Sequence, residues 1–393
     1  MTALTLGYCT NVHGGPSLAQ TLDGLERHAV AVRRLHGRGA PLPIGLWLSA
    51  QAAQEILTAD DGAARLRDWL GERALSVFTL NGFPFGDFRA ATVKKSVYQP
   101  DWRDPRRVKY TTALADILAV LCGGDGVSVS NGTPIHEASI STLPIGWRDG
   151  FSQNGCGQDA ALAAAHIDQV ARHLRVIEDR TGLCIHLDIE PEPGCMLDTS
   201  QDVIDFFTQA LRPSAALPDP MRHVRVCHDI CHAAVMFESQ VDVLANYRRA
   251  GIRIGKVQVS NALACDGSER AFRALRNFDE PRFLHQTCVL DGAAKVHFFE
   301  DLGSAFDEAP NGVWRVHFHV PVDLEFVGPL STTRHDIEAC FEAIEPGDGI
   351  RLFEVETYAW EALPIDLRRD SLAHGIADEL AWTQQRLNAL RRT

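Results

Sequence analysis

The feature that most constrains this chain is a strict alternation of short, almost continuously apolar runs with longer amphipathic stretches. LTLGYC (4–9), IGLWLS (44–49), SVFTLNG (76–82), SISTLPIG (139–146), CIHLDIE (184–190), HVRVCHD (223–229) and GKVQVSN (255–261) read as strands. Helical periodicity fills residues 17–36, 50–57, 62–72, 105–121, 159–181 and 200–211, and a further helix ends near Ala250. Runs apolar on both faces suit parallel strands covered on both sides, and alternation without hairpins predicts one α/β parallel sheet. Two more runs, RVHFHVPV (315–322) and RLFEVETY (351–358), flank a helix over 333–344, giving nine candidates for the eight places of a (β/α)8 barrel. The surplus is assigned to an insertion over about residues 263–322. Either GKVQVSN or RVHFHVPV can then be strand seven. A doubly wound dinucleotide-binding sheet lacks its fingerprint here, because no G-x-G-x-x-G follows the first strand. The expectation is a single TIM-barrel domain over 1–393, with a long aromatic loop at 83–104 and a Pro-rich loop at 212–220.

Composition narrows the function classes. Against 38 Lys and Arg stand 51 Asp and Glu, a net charge of −13, which is poor material for a phosphate backbone or an anionic membrane. No run of about 18 apolar residues is present, so no membrane insertion is expected. The first residues carry neither a basic n-region nor a cleavage site, so no signal peptide is expected. The ten cysteines are scattered, with Cys227 and Cys231 the only close pair, and read as small buried hydrophobes in a reducing cytoplasm.

Chemistry in a parallel barrel sits at the carboxyl ends of the strands. Those ends carry Cys9, Asn11 and His13, then Asn81, then Asp188, Glu190 and Glu192, then His228, Asp229 and His232. Gln258 follows on GKVQVSN, His317 and His319 on RVHFHVPV, and Glu354 and Glu356 on the last run. Several carboxylates buried together need a cation or a proton to neutralise them, and one divalent metal ion accounts for the set. Two Glu, one Asp and an amide oxygen suit Mn²⁺ or Mg²⁺; added His favours Zn²⁺ or Co²⁺. Ligation is the favoured reading for Glu190, Asp229 and Glu356. His186, alternating with Asp188 and Glu190 on one strand face, reads as support for a ligand, and Glu192 and Glu354 as solvated or hydrogen-bonded groups.

These motifs resemble a known superfamily. D-I-C-H (229–232) is similar to the D-x-x-H element ending strand six in xylose-isomerase-like TIM barrels, the group of ketose 3-epimerases, hydroxypyruvate isomerases and endonuclease IV. I-E-P-E-P-G (189–194) resembles the strand-five glutamate of that group, and F-E-V-E-T (353–357) its strand-eight glutamate. Most members place a His on strand seven; K-V-Q-V-S (256–260) resembles instead the hydroxypyruvate isomerases, which use Gln. Over most of its length the chain more closely resembles the EboE group of metabolite traffic proteins. GYCTNVH (7–13), VFTLNGFPFGDF (77–88), HLDIEPEPG (186–194), VHFHVP (316–321) and EVETYAW (354–360) carry that likeness.

The resemblance implies a divalent-metal-dependent isomerase or epimerase, with Glu190, Asp229, Gln258 and Glu356 as ligands. His319 competes with Gln258 for the fourth place if RVHFHVPV is strand seven, and His317, His186 and Asn81 are additional ligand or substrate-binding candidates. Glu190 and Glu356 would also move a proton on carbon beside a carbonyl through an enediolate, with His232 orienting a substrate hydroxyl. The implied substrate is a small polyhydroxylated metabolite, in a cytoplasmic metabolite-traffic setting with partner proteins of the same gene cluster; a homo-oligomer stays open. The competing reading is a barrel that binds and presents a metabolite without turnover. A nuclease like endonuclease IV ranks last: Asn81 and Gln258 stand where that relative wants imidazoles, and the chain is acidic.

Overall fold

The structure is a computed structural model describing residues 4–36, 39–123, 129–130, 133–134, 136–151, 156–211, 218–308, 310–358, 360, 363 and 365–390. Residues 212–217 of the expected Pro-rich loop lie outside the described residues. Eight parallel strands close into a barrel: β1 (Thr5–Cys9), β2 (Leu42–Trp47), β3 (Leu75–Asn81), β4 (Glu137–Thr142), β5 (Cys184–Ile189), β6 (Val224–Asp229), β7 (Ile254–Val259) and β8 (Leu352–Val355). Each strand pairs with the next in sequence, and β8 returns to β1 with Thr5 opposite Leu352. The strands are buried along their whole length except at single residues such as Pro43 and Glu137, as their apolar runs imply.

The helices between strands start where the sequence supplies caps. Ser17 and Gln20 form a capping box, Asp104 caps the Pro-initiated helix Pro105–Cys122, and Ser239 caps Gln240–Ala250, which stops at Gly251 in the left-handed region (φ 70°). SISTLPIG is a strand only as far as Thr142; Pro144 has no N–H to give, and the chain turns away there.

RVHFHVPV is not a barrel strand. GKVQVSN supplies β7, and residues 263–332 form a separate antiparallel sheet. Its strand order is Val296–Phe299, Thr287–Leu290, Val313–Val316, Leu263–Cys265, Leu330–Thr332, Phe326–Val327. The apolar alternation that made 315–322 look like a barrel strand serves this second sheet at its start; the rest is an extended return to the barrel mouth. Trp314, fully buried, packs on Phe272 and Phe306 with ring centroids 4.9 and 5.6 Å away, giving the inserted sheet apolar filling of its own.

The interior of the barrel is polar. Lys256 on β7 donates to Glu354 on β8 and reaches Ser141 on β4 at 3.2 Å, a contact that has to cross the lumen. One layer away, Asp188 accepts from Ser139 at 2.6 Å and lies 2.6 Å from His186 Nδ1. Glu354, expected to be solvated or hydrogen-bonded, is fully buried in an ion pair. Against the downward push of burial, the Glu354 carboxylate holds the Lys256 ammonium above its ordinary range.

Gly45 makes room for this pair. A Cβ there would lie 1.4 Å from Glu354 Oε1, and Lys256 prevents Glu354 from yielding. Gly45→Ala is therefore expected to cost about 1–3 kcal/mol by overpacking, read as a lower midpoint in urea unfolding. Gly71→Ala, where nothing lies within 4 Å of the added carbon, serves as the control that loses nothing.

Among the described residues no helix is long and apolar enough to cross a membrane. The nine cysteines whose side chains the structure describes are buried and free.

Candidate metal centre

The carboxyl end of the barrel gathers the site from β6, β5, β8 and the inserted sheet. On β6, D-I-C-H works as a helix start: Asp229 caps the short helix Ile230–Val235 by accepting from the His232 backbone N–H at 3.0 Å. Ser260 donates to the same oxygen, Oδ1, at 2.6 Å. Oδ1 is thereby fixed, and Oδ2 is left buried without a partner. One turn later, His232 stands with Nε2 3.9 Å from Asp229 Oδ2 and Nδ1 4.0 Å from Glu190 Oε1.

Glu190 follows β5 and is anchored by its backbone N–H to Thr142 O at 2.9 Å. Its Oε2 is buried without a partner. Burial, then the negative charges of Glu356 and Asp229, push its carboxyl well above the usual range.

Glu356, just beyond β8, is clamped differently. Its Oε1 accepts from Asn11 at 2.6 Å and lies 3.5 Å from Asn81 Nδ2, while Oε2 accepts from Gln258 at 2.7 Å. Gln258 thus turns its amide N–H₂ toward Glu356 and leaves Oε1 buried with no partner.

The last contribution comes from the inserted sheet. After Val313–Val316 the chain crosses the barrel mouth, held by Asn261 just past β7, which donates to Pro321 O and Leu324 O at 3.0 Å each. This segment delivers His317 and His319 to His232. His317 Nε2 is 3.2 Å from His232 Nε2 and 3.1 Å from His319 Nε2. Burial and then the neighbouring imidazoles hold His317 well below its ordinary range, so it is neutral. Asp229, His319 and Glu356 also offer ligand atoms within 4.8 Å of one another, as do Glu190, Asp229 and His232.

The structure therefore brings Glu190, Asp229, Gln258, Glu356, His232, His317 and His319 to one place, with Asn81 at its edge. His186 is not among them; it lies deeper, against Asp188. His319 reaches the site without being on strand seven, because the insertion spans the sequence distance. Of the two readings for Glu192, solvated or hydrogen-bonded, the structure shows the second: buried, it accepts from Tyr98 at 2.7 Å and from Gln286 at 2.9 Å. Gln286 and Tyr98 had no sequence signal, since the strand Thr287–Leu290 that places Gln286 is not one of the nine apolar runs.

The mouth is lined by the loop after β3, with Phe83, Phe88 and Tyr98, and by Phe283 and Tyr358. Tyr358 stacks on His319 with centroids 4.7 Å apart. The arrangement puts three buried carboxylates, three imidazoles and an amide oxygen around a cavity with apolar walls. Unpartnered oxygens on Glu190, Asp229 and Gln258 all fit a cation.

No known protein family and no curated protein matches the chain in sequence. Among solved structures, a xylose isomerase-like TIM barrel protein from Mycobacterium smegmatis, in complex with magnesium, is similar with a TM-score of 0.55 at 11% identity, over 99% of each chain. The fold is a (β/α)8 TIM barrel, like that protein's. The IOLI protein with a bound zinc atom gives 0.49 at 12% identity, over 98% of this chain and 99% of that one. A sugar phosphate isomerase/epimerase from Parabacteroides distasonis gives 0.48 at 11%, over 99% and 96%. At these identities the likeness is one of fold.

Proposed function

We propose that this barrel is a divalent-metal-dependent isomerase or epimerase that moves a proton on the carbon beside the carbonyl of a small polyhydroxylated metabolite. One observation carries this reading: two glutamates from β5 and β8 enter the same cavity in opposed environments. Glu190 is buried among negative charge with an oxygen unpartnered, while amide donors clamp both oxygens of Glu356. Paired carboxylates with unlike surroundings are how one site holds an acid and a base at the same pH.

Glu190, Asp229, Glu356 and Gln258 Oε1 would hold the cation, which supplies Lewis-acid polarisation of the carbonyl when bound. The similar Mycobacterium smegmatis protein, of the same fold, holds magnesium. Glu356, fixed by Asn11 and Gln258, would take the proton from carbon, and Glu190, whose Oε2 has no partner, would return one. Where no ion occupies its Nε2, His232 would orient a substrate hydroxyl, its Nδ1 being held by Pro191 O. Phe83, Phe88 and Tyr358 exclude water. The motif resemblance extends the reading to metabolite traffic with partner proteins.

The test is solvent-deuterium incorporation, followed by NMR, over a panel of ketoses and hydroxy-keto acids with Mg²⁺, Mn²⁺, Co²⁺ or Zn²⁺ supplied. Metal-dependent exchange at the carbon beside the carbonyl is expected. Saturable binding of a panel member with no exchange would overturn the enzyme reading in favour of a carrier.

A further inference from the structure

The three imidazoles set a problem that the carboxylate cation does not solve. His232 Nδ1 lies 2.8 Å from Pro191 O and His319 Nδ1 lies 2.9 Å from Glu356 O. A carbonyl oxygen only accepts, so both rings carry their proton on Nδ1. His317 Nδ1 lies 2.8 Å from Gln286 Oε1, and that amide is oriented by its N–H₂, which donates to Pro193 O at 3.2 Å and to Glu192. His317 too is therefore protonated on Nδ1.

With all three rings in the neutral form, every Nε2 is a bare lone pair, and these atoms lie 3.2 and 3.1 Å from one another on either side of His317. No N–H remains to bridge either contact. Three buried lone pairs facing one another repel unless a positive charge lies between them. Tetrahedral zinc with Zn–N bonds of about 2.0–2.1 Å sets its nitrogens about 3.3 Å apart, close to the two spacings found about His317. Each ring's N–H is also held by an oxygen, the arrangement that orients metal-binding histidines.

We propose that His232, His317 and His319 bind a second metal ion of the zinc class, distinct from the cation held by Glu190, Gln258 and Glu356. Asp229 Oδ2, buried, without a partner and 3.9 Å from His232 Nε2, supplies the fourth ligand and links the two positions. Cys231 also lies within reach of the same three imidazoles; Asp229 is taken as the ligand because its Oδ2 is buried without a partner. Two of the three imidazoles come from the inserted sheet, so the second ion ties the insertion to the barrel. It does not depend on the isomerase reading: a barrel that binds without turnover would hold it equally.

The experiment strips the full-length protein with a chelator and titrates it with Zn²⁺ and with Co²⁺, counting bound metal by elemental analysis and recording visible absorption. Wild type is expected to take up two equivalents and to show the intense band of tetrahedral nitrogen-ligated Co²⁺. His317→Ala should lose one equivalent together with that band, whereas Glu190→Gln should lose the other equivalent and keep the band. His317→Gln, which retains the hydrogen bond to Gln286 through its amide, replaces the alanine variant if circular dichroism shows that the latter does not fold. A single equivalent in wild type, lost alike in His317→Ala and Glu190→Gln, would mean one composite site and overturn the proposal. So would two equivalents retained in His317→Ala. Absence of solvent exchange with both equivalents bound would sink the isomerase reading alone.

Discussion

Glu356→Gln is expected to slow solvent-proton exchange into substrate by about 10²–10⁴-fold, the usual worth of a positioned acid or base. The substitution preserves shape and removes the charge. It also introduces an N–H₂ among groups that now donate to Glu356, namely Asn11 and Gln258. Gln258 can absorb this by rotating its amide, because its Oε1 accepts no hydrogen bond, at the expense of its place on the cation. The fold should therefore survive, and thermal unfolding of the variant checks that it does. Metal content measured on the same sample separates loss of the base from loss of the cation. Exchange within about tenfold of wild type would remove Glu356 from the proton-transfer role.

The largest effect on stability is expected at Lys256. Its ammonium and the Glu354 carboxylate are both fully buried, paired across neighbouring strands β7 and β8. Removing one partner strands the other charge in the barrel interior, where solvation by water is lost; breaking such a pair typically costs about 3–5 kcal/mol. Lys256→Met, which keeps most of the volume, should lower stability by that amount in urea unfolding. Lys256→Met combined with Glu354→Gln should recover most of the loss, because no unpaired charge remains. A single variant within about 1 kcal/mol of wild type would show that Glu354 takes up a proton at little cost and that the pair contributes little. Gly45→Ala acts on the same carboxylate from the other side, so it should be milder in the Glu354→Gln background.

Much of the barrel was legible because parallel strands covered on both faces must be apolar on both faces. Seven of the expected strands, 4–9 through 255–261, and the last at 351–358 differ from the observed bounds chiefly at their ends. The strand-end carboxylates were legible for the same geometric reason: Glu190, Asp229 and Glu356 end strands, and strand ends share one face of a barrel. His186 misled because alternation on one strand face says nothing about depth. It lies in the barrel interior, two residues before Asp188 and four before Glu190.

By itself, then, the sequence determined the repeating β/α units, the caps that start their helices and the residue types at the strand ends. These depend on neighbours within a few positions, and local periodicity encodes them. Only the tertiary structure decided that 315–322 leaves the barrel and returns over its mouth, bringing His317 and His319 beside His232, 85 residues from His317 along the chain. It alone decided that Gln258 turns its oxygen free, that Lys256 reaches Ser141 across the lumen, and which imidazole nitrogens carry protons. Each of these depends on where two distant backbones stop relative to one another. That is set by closure of the barrel and docking of the inserted sheet, and neither leaves a periodic trace in the chain.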